Sequence, residues 1–246
     1  SCAEIDLSVG STAGLSSVVC AMSIAAFGLI PGIIAGLLVG TLVGAVNGSL
    51  VSLLGIPSFL VTLGMLGIAV GLAQWITNSA PQPILNDTFN AIFGGGDLGP
   101  IPGLLVWMTA AVAIGSIVLA KTRFGRQVLA TGGNRTAAEF TGVNTKRIKF
   151  SVLLISGTMA GLAGMLYAGR LQSGRFQWGD GDELSAIAAV ILGGTSLFGG
   201  SGTIIGTLVG ALLIGLINNG LILAGLESSQ QQVIRGAIII LAVALA

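Results

Sequence analysis

The sequence predicts an all-α fold, a polytopic transmembrane helical bundle, and three observations carry that prediction. Charged residues make up 8% of the chain, against roughly 25% in a water-soluble domain, and the mean hydropathy is +0.98. Lipid gives the backbone no hydrogen bonds, so spanning segments must be helices or a closed barrel. Barrel strands alternate polar and apolar residues, whereas the apolar runs here are unbroken and approach the ~20 residues of a membrane-crossing helix. Seven of the ten basic residues lie between Lys121 and Lys149, with Glu139 the one acid among them. Lys and Arg collect on the side of a membrane that is not translocated, so residues 121–149 are expected to form the dominant cytoplasmic loop.

Seven spans are expected in one transmembrane domain covering 1–246. The first takes 7–29 and stops before Pro31; the second takes 33–54; the third, 58–78, opens after Pro57. A polar Pro/Gly/Asn stretch, 79–103, leads to the fourth at 104–120. The fifth follows the basic loop at 150–169. Residues 184–192 are too short to cross alone and run into Gly193, Gly194, Gly199, Gly200 and Gly202, so 184–203 reads as a half-helix with a glycine-rich turn. The last two spans are 204–226 and 230–246. With 121–149 inside, parity places 79–103 and 170–183 outside and the 54–57 turn inside. Both ends lie within apolar or motif-like sequence, as truncations would. Cys2 and Cys20 are too few for a disulfide framework.

In the second span Gly32, Gly36, Gly40, Gly44 and Gly48 recur every four residues and share one helix stripe. Small residues let backbones approach where lipid supplies no hydrophobic drive between helices. Tight packing within the chain explains the stripe, and a dimer seam is the sharper alternative. The hexapeptide Gly-Thr-Leu-Val-Gly-Ala occurs at 40–45 and again at 206–211, so Gly206 and Gly210 repeat Gly40 and Gly44. By parity the two helices run in opposite directions, which suggests an inverted repeat of the kind transporters use. Chance similarity between Gly/Leu/Val-rich helices would produce the same echo.

Within the basic loop, Gly132-Gly133 breaks the chain, Asn134 is placed to cap a short helix over 136–141, and Gly142 is a natural stop. Arg123, Arg126, Arg135, Lys146, Arg147 and Lys149 rim it. Such a helix suits a cleft in another protein. Attraction to anionic lipid would also explain the charge, but not the Gly-Gly break or the alanine-rich helix.

Polar groups in hydrocarbon are costly and tend to face protein or water. Asp6 and Ser8 open the first span, as a helix cap or beside a water-filled path. Asn47, Ser58, Thr62, Asn218 and Asn219, with Gln74, are either interhelical glue or part of that path. Trp75, Phe89, Phe93, Phe176 and Trp178 are available to stack on a solute, although interfacial anchoring suits Trp75, Trp107 and Trp178. Asp180, Asp182 and Glu183 with Arg170 and Arg175 make an outer charged cluster.

Several chemistries are absent. There is no His, which removes the Ser/His hydrolytic pair and any His-containing zinc site. The nearest approach to a phosphate loop, Gly115 to Thr122, has Ala120 where the second Gly belongs. The near-neutral charge favours no nucleic acid.

The stretch GRQVLATGGNRTAAEFTGV at 125–143, GGTSLFGGSGT at 193–203 and IDLSVGS at 5–11 occur in one order. Together they resemble the monosaccharide-type permeases of bacterial ATP-binding cassette importers (the ribose, xylose, arabinose and galactose permeases) and, more distantly, branched-chain amino-acid permeases. The family's usual Gly before Ile-Asp-Leu is Glu4 here. The resemblance implies a multi-pass protein of the bacterial inner membrane, with a second permease subunit, identical or diverged. It also implies cytoplasmic ATPase subunits that hold ATP and Mg, and an external sugar-binding protein. It casts 121–149 as the coupling loop, with Arg135, Ala137, Ala138, Glu139, Thr141 and Gly142 seated on the ATPase. The expected function is alternating-access import of a monosaccharide along Asp6, Ser8, Asn47, Ser58, Thr62, Asn218 and Asn219, with no cofactor or metal in this chain. The alternatives are an ion-driven secondary transporter, a permease for another small polar solute such as an amino acid, and a membrane scaffold.

Overall fold

The computed structural model describes residues 2–245, without the side chains of residues 98, 228, 232, 235, 239 and 241–245. Three long helices come first: α1 (Val9–Phe27), α2 (Leu29–Leu53) and α3 (Ser58–Thr77). The break between α1 and α2 falls at Gly28, whose φ of 92° suits only glycine. Pro31, expected to stop the first span, lies instead in the first turn of α2, where a missing N–H costs no helical bond. Asn78 ends α3 in the left-handed conformation.

The stretch expected as one polar loop holds β1 (Gln82–Pro83), α4 (Asp87–Asn90), a π turn (Ala91–Gly95), β2 (Asp97–Leu98) and β3 (Ile101–Pro102). Asn86 starts α4 by accepting the Phe89 N–H at 2.9 Å. Then come α5 (Gly103–Lys121), α6 (Arg123–Gly133), α7 (Arg135–Phe140) and α8 (Thr145–Leu171). α8 starts five residues earlier than hydropathy suggests, because Asn144 caps it by accepting the Arg147 N–H at 3.0 Å. β4 (Ser173–Gly174), α9 (Asp182–Leu192), α10 (Ile204–Leu223) and α11 (Ser228–Leu245) complete the order. Among the described residues six helices are long and apolar enough to cross a membrane: α1, α2, α3, α5, α8 and α10. The seventh expected span falls on α11, with residue 246 outside the described part.

Two compact units are resolved. One comprises Ile5–Ala111 and Lys149–Glu183. Here α1 is the buried centre, with Val18, Cys20, Ser16 and Ser17 fully enclosed. The glycine stripe of α2 packs inside this unit: a Cβ on Gly40 would collide with the Gly157 carbonyl oxygen, one on Gly44 would lie 2.6 Å from that of Leu153, and one on Gly36 would meet Cys20 and Met165. Contact within the chain therefore accounts for the stripe. Opposite it, Ile30, Ile34, Leu38, Leu42 and Val46 are exposed, the face an apolar solvent would wet. A short antiparallel pairing joins Gln82 to Gly174.

The other unit comprises Ser1–Glu4, Val112–Ile148 and Leu184–Ala246. The half-helix and glycine turn are as expected: α9 ends at Leu192, and Gly194, Gly199, Gly200 and Gly202 all have positive φ before α10 begins. Gly210 presses on Ala189 of α9, and Gly206 on Gly193 just past its end. Both copies of the hexapeptide thus use their two glycines to receive another backbone.

Candidate functional site

The segment after α8 packs on the helix bundle as well as meeting solvent, with Gly174 and Gly179 buried and Arg175, Gln177 and Asp180 exposed. It runs back along α1, antiparallel to it. Gly174 packs on Ser17 and Ala21, Phe176 on Gly14, and Gly179 and Glu183 on Gly10. Ser17 accepts the Arg175 N–H at 3.2 Å. Charge makes this path look exposed, but Gly10, Gly14, Gly174 and Gly179 leave no side chain in the way. From Gly10 to Ala21 is about 16 Å of helix, so the chain descends deep beside a candidate span.

This descent encloses a cavity of about 250 Å³ lined by Ser11 of α1, Leu66, Val70 and Gln74 of α3, and Phe176, Gln177, Asp180 and Glu183. One aromatic face, two amides, a hydroxyl and two carboxylates meet on an apolar floor, the make-up of a pocket for a small polar solute. Sequence reasoning named Gln74 and Phe176 as candidates but put Asp180 and Glu183 on the surface. Ser11 and Gln177 were missed; the two glycines either side of them, Gly10 and Gly179, were the available signal. Other aromatics are committed elsewhere. Phe89 and Phe93 are buried, Phe89 stacked on Phe93 and Phe93 on Trp107, so neither can hold a solute. Trp178 stacks on Tyr167 under the Arg175 guanidinium. Arg175 and Arg170 make no ion pair with the acids, among the described residues. Asp182 instead accepts the Tyr167 hydroxyl.

Beside the cavity lies a polar knot. Asp6 does not cap α1 through its first-turn amides. Its Oδ1 accepts the Ser8 N–H at 3.0 Å and the Ser8 hydroxyl at 2.7 Å, and its Oδ2 accepts the Ser156 hydroxyl at 2.7 Å. Asn47 Nδ2 donates to Ser8 Oγ at 3.0 Å. Ser58 Oγ accepts the Ile5 N–H at 3.1 Å, and Thr62 Oγ1 accepts that of Leu7 at 3.0 Å. Five of the seven path candidates are therefore brought together, tying the non-helical strand before α1 to α2, α3 and α8. None of the five lines the cavity; they fix the start of α1, which presents Ser11. Asn218 and Asn219 belong to the other unit, and Asn219 is exposed. Asn47 and Asn218 share one property: each has a buried Oδ1 that accepts no hydrogen bond.

The basic loop forms two helices rather than one. Thr122 caps α6 by accepting the Gly125 N–H at 3.2 Å. Asn134 caps α7 by accepting that of Ala137 at 2.9 Å. Gly142, at φ 86°, ends α7 with the Val143 N–H bonded to the Ala138 carbonyl. Glu139 accepts the Arg135 Nε–H at 2.9 Å and the Thr145 hydroxyl at 2.5 Å. The Thr145 bond foremost, then Arg135, holds its carboxyl below the usual range. α7 is thereby tied to the first residue of α8. Ala138 is buried, while Arg135, Ala137, Glu139, Thr141 and Gly142 are exposed. So is Phe140, at 87%, a residue sequence reasoning passed over. The Gly132-Gly133 break has its own partner: a Cβ on Gly199 would lie 2.6 Å from the Gly132 oxygen, and one on Gly200 2.7 Å from the Gly133 Cα.

Over residues 2–243 the sequence matches the family described as branched-chain amino acid transport system / permease component. The chain belongs to that permease family. It is a multi-pass protein of the inner membrane and a transport component, not itself a catalyst. The permease is 42% identical over 243 residues to the ribose import permease protein RbsC of Bacillus subtilis, covering 98% of this chain and 76% of that one. It is 40% identical over 240 residues to the autoinducer 2 import system permease protein LsrC of Photorhabdus luminescens, covering 96% and 72%. To the probable ABC transporter permease protein YphD of Escherichia coli it is 43% identical over 189 residues, covering 76% of this chain and 56% of that one. No solved structure matches the permease.

Proposed function

We propose that this permease is the membrane-spanning subunit of an ATP-driven importer that moves a monosaccharide inward by alternating access. The observation that carries this reading is the cavity between α1, α3 and the descending segment. Its volume suits one small polar solute. Carboxylates and amides match sugar hydroxyls, and Phe176 offers a ring face. An amino acid is the weaker fit, since no cation among the described residues lines the cavity to meet its carboxylate. Relatives named for ribose import support a sugar.

In this reading Asp6, Ser8, Asn47, Ser58 and Thr62 support the cavity by fixing the start of α1, which carries Ser11 into it. Energy comes from partner ATPase subunits that bind ATP and Mg, because this chain has no phosphate loop. Their closure pushes on α7 through Arg135, Ala137, Glu139, Thr141 and Gly142, with Phe140 as the apolar anchor in their cleft. Ala138 and the Glu139–Thr145 bond pass the displacement to α8. A second permease subunit and an external sugar-binding protein complete the assembly.

The test is uptake of labelled monosaccharide by proteoliposomes holding the permease with its ATPase and binding protein. Uptake should stop on ATP depletion, persist when ion gradients are collapsed, and fall at least about tenfold in Phe176→Ala or Glu183→Ala, the loss of about one good contact. Uptake that follows an ion gradient instead would point to a secondary transporter and overturn the proposal.

A further inference from the structure

A second concavity lies on the outside of the same unit, where the start of α5 meets the end of α8. It holds about 240 Å³ and is lined by Leu104, Ala163, Leu166, Tyr167 and Arg170. Its walls are carbon almost throughout, yet Arg170 stands at its rim. On α8 the residues Ala163, Leu166, Tyr167 and Arg170 follow a three–four spacing, so they form a single stripe with the guanidinium at one end. Arg170 is exposed and, among the described residues, makes no ion pair or hydrogen bond through its side chain.

Depth decides what can occupy this groove. Lys149 and Arg170 are separated by about 31 Å of continuous helix, one hydrocarbon thickness. With the basic loop inside, Lys149 marks the inner boundary, and Arg170 stands at the level of the outer headgroups. The apolar part of the groove runs from there into the hydrocarbon. No residue of α5 is fully buried, and Leu105, Val106 and Met108 near its start are exposed, the apolar face that suits lipid.

We propose that this groove is a phospholipid site of the outer leaflet. An acyl chain lies along Leu104, Ala163 and Leu166, and the lipid phosphate pairs with the Arg170 guanidinium, whose planar donors match phosphate oxygens. The proposal is independent of which solute the permease moves.

Native mass spectrometry of the purified, assembled transporter, released from mild detergent after equilibration with phosphatidylglycerol, tests this directly. The parent should retain one phospholipid at this site, and Arg170→Lys, which keeps the charge but not the planar donors, should hold it more weakly than the parent and more tightly than Arg170→Gln. Arg170→Gln should hold it about tenfold more weakly, the worth of a charge-assisted hydrogen bond. Ala163→Phe, which fills the groove, should lose it, while Ala163→Ser keeps it and shows that the helix tolerates substitution there. Equal retention by Arg170→Gln and Ala163→Phe would overturn the proposal. So would displacement by a phosphate-free glycolipid as readily as by phosphatidylglycerol. A photoreactive group at position 163 that cross-links to a protein chain rather than to lipid would overturn it too.

Discussion

Gly40 and Gly157 meet backbone to backbone, and neither can carry a side chain without one helix moving. On α3, by contrast, Gly64, Gly67 and Gly71 face open space. Gly40→Val should therefore destabilise the permease by about 1–3 kcal/mol, the usual cost of overpacking, while Gly64→Val should be near neutral. Thermal unfolding in detergent separates them; equal melting temperatures would mean that α2 and α8 do not touch at Gly40. The regular period of the α2 stripe made it legible in the sequence. The isolated packing role of Gly10 and Gly179 was not, since one glycine beside a turn looks like any other. Asp6 shows the same limit. Its identity marked a polar point at the head of a helix, but not that Ser156, 150 residues away, would be the group it binds. Ser156→Ala should lower uptake less than Asp6→Ala, because the former leaves Ser8 bonded to Asp6 and the latter frees both. A greater loss in Ser156→Ala would place the centre of the knot on α8.

Among elements, α7 was the most legible, because its signals are local: Asn134 and Gly142 cap it within a few residues. α6 is less legible, because its positive charge reads as loop, although Thr122 begins a capped helix there. The packing of the descending segment on α1 was hidden for a related reason. Arg175, Asp180 and Glu183 argued for water, whereas three-dimensional contact with α1 decided the outcome. If α7 transmits force, Gly142→Val should uncouple ATP hydrolysis from uptake. A β-branched residue at φ 86° would be strained, and the Schellman end of α7 would open. Thr145→Val should do so more mildly by freeing Glu139. Coupling ratios in proteoliposomes measure both, and wild-type ratios in both would remove α7 from the transmission path. The depressed Glu139 carboxyl gives the pH sign. Its bonds are present above the ordinary glutamate value of about 4.3 and are lost only as pH falls through the lower folded value. The coupling difference between the parent and Glu139→Gln should hold steady from neutral pH down to about that value. A difference that vanishes near pH 6 would assign the effect to another group.

For the molecule as a whole, composition pointed to lipid as the solvent, and the positions of the basic residues give the expected orientation. Both act through sums over many residues, so errors of a few positions in each helix did not matter. The cavity was the least legible feature, since its lining comes from three stretches far apart in sequence. Orientation and docking now stand as one claim: 121–149 faces the cytoplasm and seats on an ATPase. An Ala137→Cys permease, with the buried Cys2 and Cys20 left in place, can be treated with an impermeant thiol cross-linker in inside-out and right-side-out vesicles. Cross-linking to the ATPase subunit should appear in inside-out vesicles alone. Reaction from the outer face, or a reactive residue 137 that captures no ATPase in the assembled transporter, would contradict it.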